Sequence, residues 1–113
     1  MKYIKSFENS LQKKLFYTKE SKISGFGNFA KIDLKPETNL GIGLLKIKNT
    51  GNPDKDFYRY DICTYTNHSN DPNIYFKKEN NAYYFYTLKH IKKDEELTIN
   101  YNLFDFEGVR DFI

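Results

Sequence analysis

Hydrophobic positions along this chain fall in short runs separated by polar turn formers, and the runs are rich in residues that favour strands. Leu15 to Tyr17 and Phe29 to Leu34 predict the first two strands, the second stopped by Pro36, which lacks a backbone donor. Leu40 to Ile47 predicts a third, with Leu45 and Ile47 on one face because side chains alternate along a strand. The turn formers of Asn49-Thr50-Gly51-Asn52-Pro53-Asp54 then make a loop. Phe57 to Tyr65 predicts an extended aromatic run into the polar cluster that starts at Asn67. Ile74 to Phe76 is expected to pair with Ala82 to Leu88 around residues 77–81, since asparagine tolerates the left-handed backbone of tight turns. Leu97 to Tyr101 predicts the last strand, and Ile4, Phe7 and Leu11 fit a short amphipathic helix or loosely packed arm over residues 1–13.

Composition sharpens this. Ten Phe and ten Tyr with no Trp reinforce a mainly β expectation, and 113 residues suffice for one domain with one modest core. The net charge of +3 is spread over scattered lysines without an Arg-rich block, so no direct nucleic-acid partner is expected. A single cysteine, Cys63, makes no internal disulfide and points to a reducing compartment. No apolar run approaches membrane-spanning length and residues 1–20 lack a signal-peptide core, so an intracellular protein without a membrane partner is expected.

Three polar or glycine-rich segments carry the candidate chemistry. Gly25-Phe26-Gly27-Asn28-Phe29-Ala30 fits a dinucleotide fingerprint, but that motif must open a helix, whereas Lys31 to Pro36 is β-leaning and stopped by proline. Asn67-His68-Ser69-Asn70-Asp71-Pro72-Asn73 contains a formal glycosylation sequon with no secretory signal before it. Cys63, His68 and His90 have no zinc spacing, so no metal is expected, and no nucleophile elbow supports a hydrolase. A purely structural turn initiated by Asp71-Pro72 stays open for this segment, as does a core-capping role for Tyr101 after Glu95-Glu96-Leu97-Thr98-Ile99-Asn100.

Taken together, in this order, the segments Gly25 to Ala30, Asn67 to Asn73 and Glu95 to Tyr101 resemble the signature motifs of SET-domain lysine methyltransferases, most closely the small viral and bacterial members with little beyond the catalytic domain. The resemblance covers about residues 22–101 and implies a single SET domain over 1–113. The implied architecture is a mainly β, β-clip/SET fold of several short curved β-sheets with a C-terminal pseudoknot and little helix. It implies S-adenosyl-L-methionine as methyl donor and a lysine-containing protein or peptide, histone or other, as substrate, in the cytoplasm or, for a viral protein, in the host nucleus. Gly25 and Gly27 would let the backbone approach the donor's methionine part, with Phe26 beside it. Asn67 would bond the donor's amino-acid end, and the backbone at His68 its adenine. Pro72 and Asn73 would shape the pseudoknot loop. Tyr101 falls at the family's catalytic phenol and also counts as a donor contact, with Tyr58 and Tyr60 as candidates for further catalytic channel tyrosines.

The implied chemistry asks for geometry more than for a base. A lysine ammonium, pKa about 10.4 when free, must lose its proton before it attacks, and a desolvated aromatic channel ending in a positive sulfonium favours that loss. The chain departs from the family in four places: Asn70 stands where larger members often have Cys, Asp94 stands where glycine usually precedes Glu-Glu-Leu-Thr, no Cys-rich flanking module is present, and the stretch between Ile47 and Asn67 is short beside members with a substrate-shaping insert. The site is then expected to be closed by Phe104, Phe106 and Phe112, with Phe104 as a further donor contact, and the aromatic surplus is expected to be partly covered in a homodimer. Glu95 and Glu96 receive no catalytic role. The alternative class is a non-catalytic SET-like module that binds peptide or S-adenosylmethionine.

Overall fold

The computed structural model describes residues 14–113; the helix or arm expected over 1–13 lies outside them. Strands β1 (Phe16–Glu20) and β2 (Phe26–Ala30) form an antiparallel hairpin in which Phe16 faces Ala30 and Glu20 faces Phe26. The second strand therefore ends where the sequence pattern has it begin. Gly27 to Ala30 are all buried, whereas Lys31 to Asp33 are exposed and Leu34 joins only through an isolated bridge to Ile91. Both faces of β2 are covered, so the hydrophobic alternation that marks a half-buried strand is missing there.

A four-stranded antiparallel sheet holds most of the core. Its order is β4 (Phe57–Arg59), β3 (Asn39–Lys46), β7 (Ala82–Thr87) and β6 (Ile74–Glu79). The β6–β7 hairpin forms as its asparagines predict, but its first strand runs further, to a two-residue turn at Asn80-Asn81 with Asn80 at φ 56°. One turn of helix, α1 (Pro53–Asp56), replaces part of the predicted loop; the Asn52 side chain accepts from the Asp54 N–H and proline occupies the first turn, where its missing donor costs nothing. Phe57 to Tyr65 is not one aromatic strand. After Arg59 the chain turns into α2 (Asp61–Thr64), which buries the adjacent residues Ile62 and Cys63, a pairing that a two-residue side-chain period cannot place on one face.

The C-terminal part is threaded into the loop that follows α2. β5 (Asn67–His68) pairs in parallel with β8 (Thr98–Ile99), so the last predicted strand is only two residues long and gives way to a 3₁₀ turn at Tyr101–Phe104 and then to α3 (Val109–Phe112). Residues 69–73 clasp that strand. The Ser69 N–H donates to the Ile99 carbonyl and the Asn73 N–H to the Thr98 carbonyl, each at 3.1 Å. The Asn73 side chain accepts from the Thr98 N–H and donates to the Glu96 carbonyl, both at 2.8 Å. This is the expected pseudoknot within a mainly β architecture of several small sheets and little helix.

The tail corrects one expectation. Phe104 is 1% exposed and packs against Phe76, Phe85 and Tyr101, so its ring has no face open to a ligand. Phe106 stacks on Tyr83 at 5.1 Å, and Phe112 packs beneath the Arg59 guanidinium at 4.5 Å. Phe104 and Phe106 close the protein's own core against the apolar surface of β6 and β7, where burial is favourable, and Phe112 packs partly buried at its edge.

Candidate methyl-donor site and catalytic tyrosine

The β5–β8 pairing brings Asn67 and His68 together with Tyr101, more than thirty positions further along the sequence. His68 is the link. Its Nδ1 accepts the Tyr101 N–H at 3.0 Å, which leaves the ring proton on Nε2 to donate to Asn70 Oδ1 at 3.0 Å. The imidazole is thus fixed in one tautomer, with its ring 5.1 Å from that of Tyr101. Asn70, the departure after Asn-His-Ser, has a positive use here as the partner of that proton.

Tyr101 is half-buried, and its hydroxyl donates to the Thr66 carbonyl at 2.9 Å. With the single phenolic hydrogen committed, the oxygen presents only lone pairs to anything beside it. Burial, with Cys63 as a lesser influence, raises the phenol's pKa above its ordinary value, so it stays neutral at physiological pH. Thr66 is held in turn: its hydroxyl accepts from Asn28 Nδ2 at 3.0 Å, and the same amide reaches the Asp61 carbonyl at 3.0 Å while Asn28 Oδ1 accepts from Thr18. Asn28 is fully buried and Thr66 nearly so. Neither was picked out from sequence. The available signal was a polar residue between Gly27 and Phe29 in a strand whose two faces are both covered.

On the other side of β5, Asn67 meets the glycine segment. Its Nδ2 lies 2.9 to 3.2 Å from four acceptors, Ser21 Oγ, the Ser24 and Phe26 carbonyls and Glu96 Oε2. The Ser21 hydroxyl donates to the Glu96 carboxylate at 2.8 Å and accepts from the Ile23 N–H at 2.9 Å. Gly25, at φ 45°, makes the left-handed turn that aims these carbonyls inward. Gly27 is required for a different reason: a Cβ there would collide with Glu96 Oε2. Its small size admits a side chain of the same protein. Phe26 is 56% exposed, its ring edge-to-face with Tyr65 at the rim of this cluster.

Ser21 and Glu96 were not identified from sequence. Glu96 differs from its exposed neighbour Glu95 only in facing Phe29 across an isolated bridge, which a run of two glutamates does not reveal. Asp94 resolves the other departure. It adopts φ 69°, the conformation a glycine would take without strain, and its carboxylate accepts from the Tyr17 hydroxyl at 2.8 Å.

Tyr58 and Tyr60 lie side by side. Their rings meet edge-to-face at 4.8 Å and line an open cleft of about 690 Å³ with Phe16, Leu40, Ile42 and Ile62. Tyr60 stands at the start of α2 and Tyr101 is held beyond its end through Thr66. Among the described residues no hydrogen bond or ring contact joins either tyrosine to Tyr101. Among the described residues, also, no group of three or more His, Cys, Asp or Glu is arranged to hold a metal, and no helix is long and apolar enough to cross a membrane.

Comparison with known proteins agrees with this architecture. The SET domain family model matches residues 5–102, and the chain belongs to that family. Over 42 residues it is 45% identical to the histone-lysine N-methyltransferase SET5 of Eremothecium gossypii, a match covering 37% of this chain and 9% of that protein. Over 37 residues it is 51% identical to an H3 lysine-37 specific histone-lysine N-methyltransferase of Schizosaccharomyces pombe, covering 31% of this chain and 25% of that protein. The matches to these curated relatives thus span a quarter or less of their length. In fold, the chain is similar to a crystal structure from Plasmodium falciparum assigned to the histone methyltransferases, with TM-score 0.63 and 22% identity over 79% of this chain and 94% of that one. It is also similar to a part of Polycomb Repressive Complex 2 of Chaetomium thermophilum, with TM-score 0.58 and 19% identity over 87% of this chain and 17% of that one.

Proposed function

We propose that the chain transfers a methyl group from S-adenosyl-L-methionine to the side-chain amine of a lysine in a protein. The observation that carries this reading is the β5–β8 pairing, which sets the Tyr101 hydroxyl on one side of a two-residue strand and the acceptor-rich cluster around Asn67 on the other. Membership of the SET family and partial matches to histone-lysine methyltransferases support it. The residues present suit the donor: an exposed aromatic pair, Phe26 and Tyr65, flanks polar groups that can take a charged amino-acid end.

When bound, the donor supplies an electrophilic methyl on a sulfonium. The chain's own contribution is placement and desolvation. Tyr101 remains a neutral phenol whose oxygen accepts, so it can hold a polarised methyl group by weak C–H···O contact without competing for the methyl as a phenolate would. Aligning nitrogen, methyl and sulfur accounts for several kcal/mol of the barrier, on the order of what well-oriented intramolecular reactions gain. The substrate in this reading is a protein lysine, histone or other, and the location that goes with it is the cytoplasm or, for a viral protein, the host nucleus. Tyr58 and Tyr60 belong to this reading as candidate channel tyrosines, in the cleft they line.

Incubation with methyl-labelled donor and a panel of histones and other proteins should label lysine, and calorimetry should show saturable binding of S-adenosylhomocysteine. Donor binding with no transfer to any protein in the panel would leave the non-catalytic module as the function. In sedimentation at micromolar concentration, a mass of only about 13.5 kDa would dismiss the homodimer.

A further inference from the structure

Asn28 is a fully buried polar residue in a strand whose next two residues, Phe29 and Ala30, are buried and apolar, and the three polar or glycine-rich segments of the chain meet at it. Its side chain is fully engaged: Oδ1 accepts from the Thr18 hydroxyl at 2.7 Å, and the two hydrogens on Nδ2 go to the Asp61 carbonyl and the Thr66 hydroxyl, each at 3.0 Å. Its backbone carbonyl accepts from the Leu97 N–H at 2.8 Å. One residue of the glycine hairpin thus fixes the start of α2 at Asp61, the residue before β5 at Thr66, and the segment that leads to Tyr101. An apolar side chain of similar size would fill the same space, and a buried amide is costly unless every bond is made, so packing alone gives no reason for asparagine here. What the amide adds is direction, since each of its bonds fixes the orientation of the group it meets.

We propose that Asn28 is a positioning residue for methyl transfer, a brace that acts through Thr66 on Tyr101. The Thr66 hydroxyl is held by Asn28 and the Thr66 carbonyl holds the Tyr101 hydroxyl at 2.9 Å, so the phenol is tied through one residue to the hairpin that carries Gly25 and Gly27. With its side chain fixed, Thr66 cannot turn its carbonyl away from the phenol without breaking a buried bond. The second contact of the same amide, on the Asp61 carbonyl, anchors the residue next to Tyr60, so one planar group sets the spacing between Tyr101 and the candidate channel tyrosine at the other end of α2. Asn28 is fully buried and acts on the reaction only through these contacts. The proposal rests on the reading of Tyr101 as the group at the methyl and goes beyond it by assigning to Asn28 the placement of that group relative to the glycine hairpin.

The test uses Asn28→Leu, which keeps the volume and removes both donors, and Thr66→Val, which removes only the hydroxyl that Asn28 holds and leaves the carbonyl in place. Protein isotopically labelled at tyrosine Cζ gives a magnetic resonance signal for Tyr101, assigned by its absence from Tyr101→Phe, that reports the hydrogen bond of its hydroxyl without any turnover. Both variants are expected to move that signal and to lower the single-turnover rate of methyl transfer about tenfold or more per folded molecule, with S-adenosylhomocysteine affinity retained, since misplacing a group at the reacting centre costs rate before it costs binding. In a Tyr101→Phe background Asn28→Leu should lower the rate no further, because the oxygen through which the brace acts is gone. A residue that serves stability alone would lower the denaturant midpoint and leave the signal and the rate unchanged. That result, or rate losses that multiply in the double variant, overturns the proposal. If the wild type methylates no protein, the proposed function falls, and the Tyr101 signal by itself decides whether Asn28 holds the phenol. Thr66→Val carries the test if Asn28→Leu fails to fold.

Discussion

Two regions of this protein bury its characteristic residues on opposite terms. The aromatic seam of Phe76, Tyr83, Phe85, Phe104 and Phe106 joins the C-terminal tail to the main sheet through ring pairs 5.1 to 6.3 Å apart, with nothing polar left to satisfy. The knot of Ser21, Asn67, His68, Glu96 and Tyr101 joins the same tail to the glycine hairpin chiefly through hydrogen bonds, several of them shared among too few hydrogens. Dispersion and dehydration make the first region self-sufficient. The second is held together but incomplete, since a partly buried carboxylate among carbonyls contributes little stability by itself. Stability and ligand response should therefore separate along this boundary.

The largest effect tests the seam. Phe104→Ala removes a ring that is 1% exposed and should cost about 3–5 kcal/mol, read as a lower denaturant midpoint, with ligand affinity per folded molecule retained. Selective loss of S-adenosylhomocysteine binding at unchanged stability would return Phe104 to the site and erase the boundary.

Next in size is Tyr101→Phe, whose effect lies mainly in rate. Methyl transfer should fall by about 10²-fold or more, because only the oxygen is removed. The lost bond to the Thr66 carbonyl should also cost about 1 kcal/mol of stability, so a shifted melting temperature does not by itself show that Tyr101 is merely structural. Single-turnover rate per folded molecule decides, and an unchanged rate would remove Tyr101 from the chemistry. Asn73→Ala sharpens the contrast from within the knot. It strands the buried Thr98 N–H and should cost about 1–3 kcal/mol in denaturant unfolding, as an architectural residue does.

The same boundary explains what was legible in the sequence. Asn67, His68, Asn73 and Tyr101 could be read because their motifs fix local turns and strands, and the β5–β8 pairing then brings those motifs together. The general β character and the β6–β7 hairpin followed from aromatic runs and the paired asparagines. Glu96 and Asn28 could not be read, because their roles depend on which face of an extended segment meets a strand far away in sequence. The tail rings were legible as apolar but not as core, since composition does not say whether an aromatic side chain covers a ligand or the adjoining sheet. The helix at Asp61–Thr64 was hidden by aromatic residues on both sides of it.

The smallest effect concerns pH, and it links the two regions through Cys63. Burial pushes that thiol from an ordinary 9.0 up to about 12, Arg59 opposing the shift only slightly, and the same burial raises the neighbouring phenol of Tyr101. Both groups bind their protons more tightly in the folded protein than in the unfolded chain. Their contribution to stability is therefore whole below the ordinary thiol value and drains away as pH rises from about 9 towards about 12. Neutral pH should show none of this. Denaturant midpoints should hold steady from pH 7 to 8.5 and decline above that, and Cys63→Ala should make the decline shallower without removing the part due to Tyr101. Iodoacetamide gives an independent measure: at pH 8 Cys63 should stay unmodified by mass spectrometry in the native protein and react once the chain is unfolded. Rapid native alkylation would mean that α2 opens readily, and the Thr66 carbonyl that holds the Tyr101 hydroxyl would then be less firmly fixed than its hydrogen bonds imply.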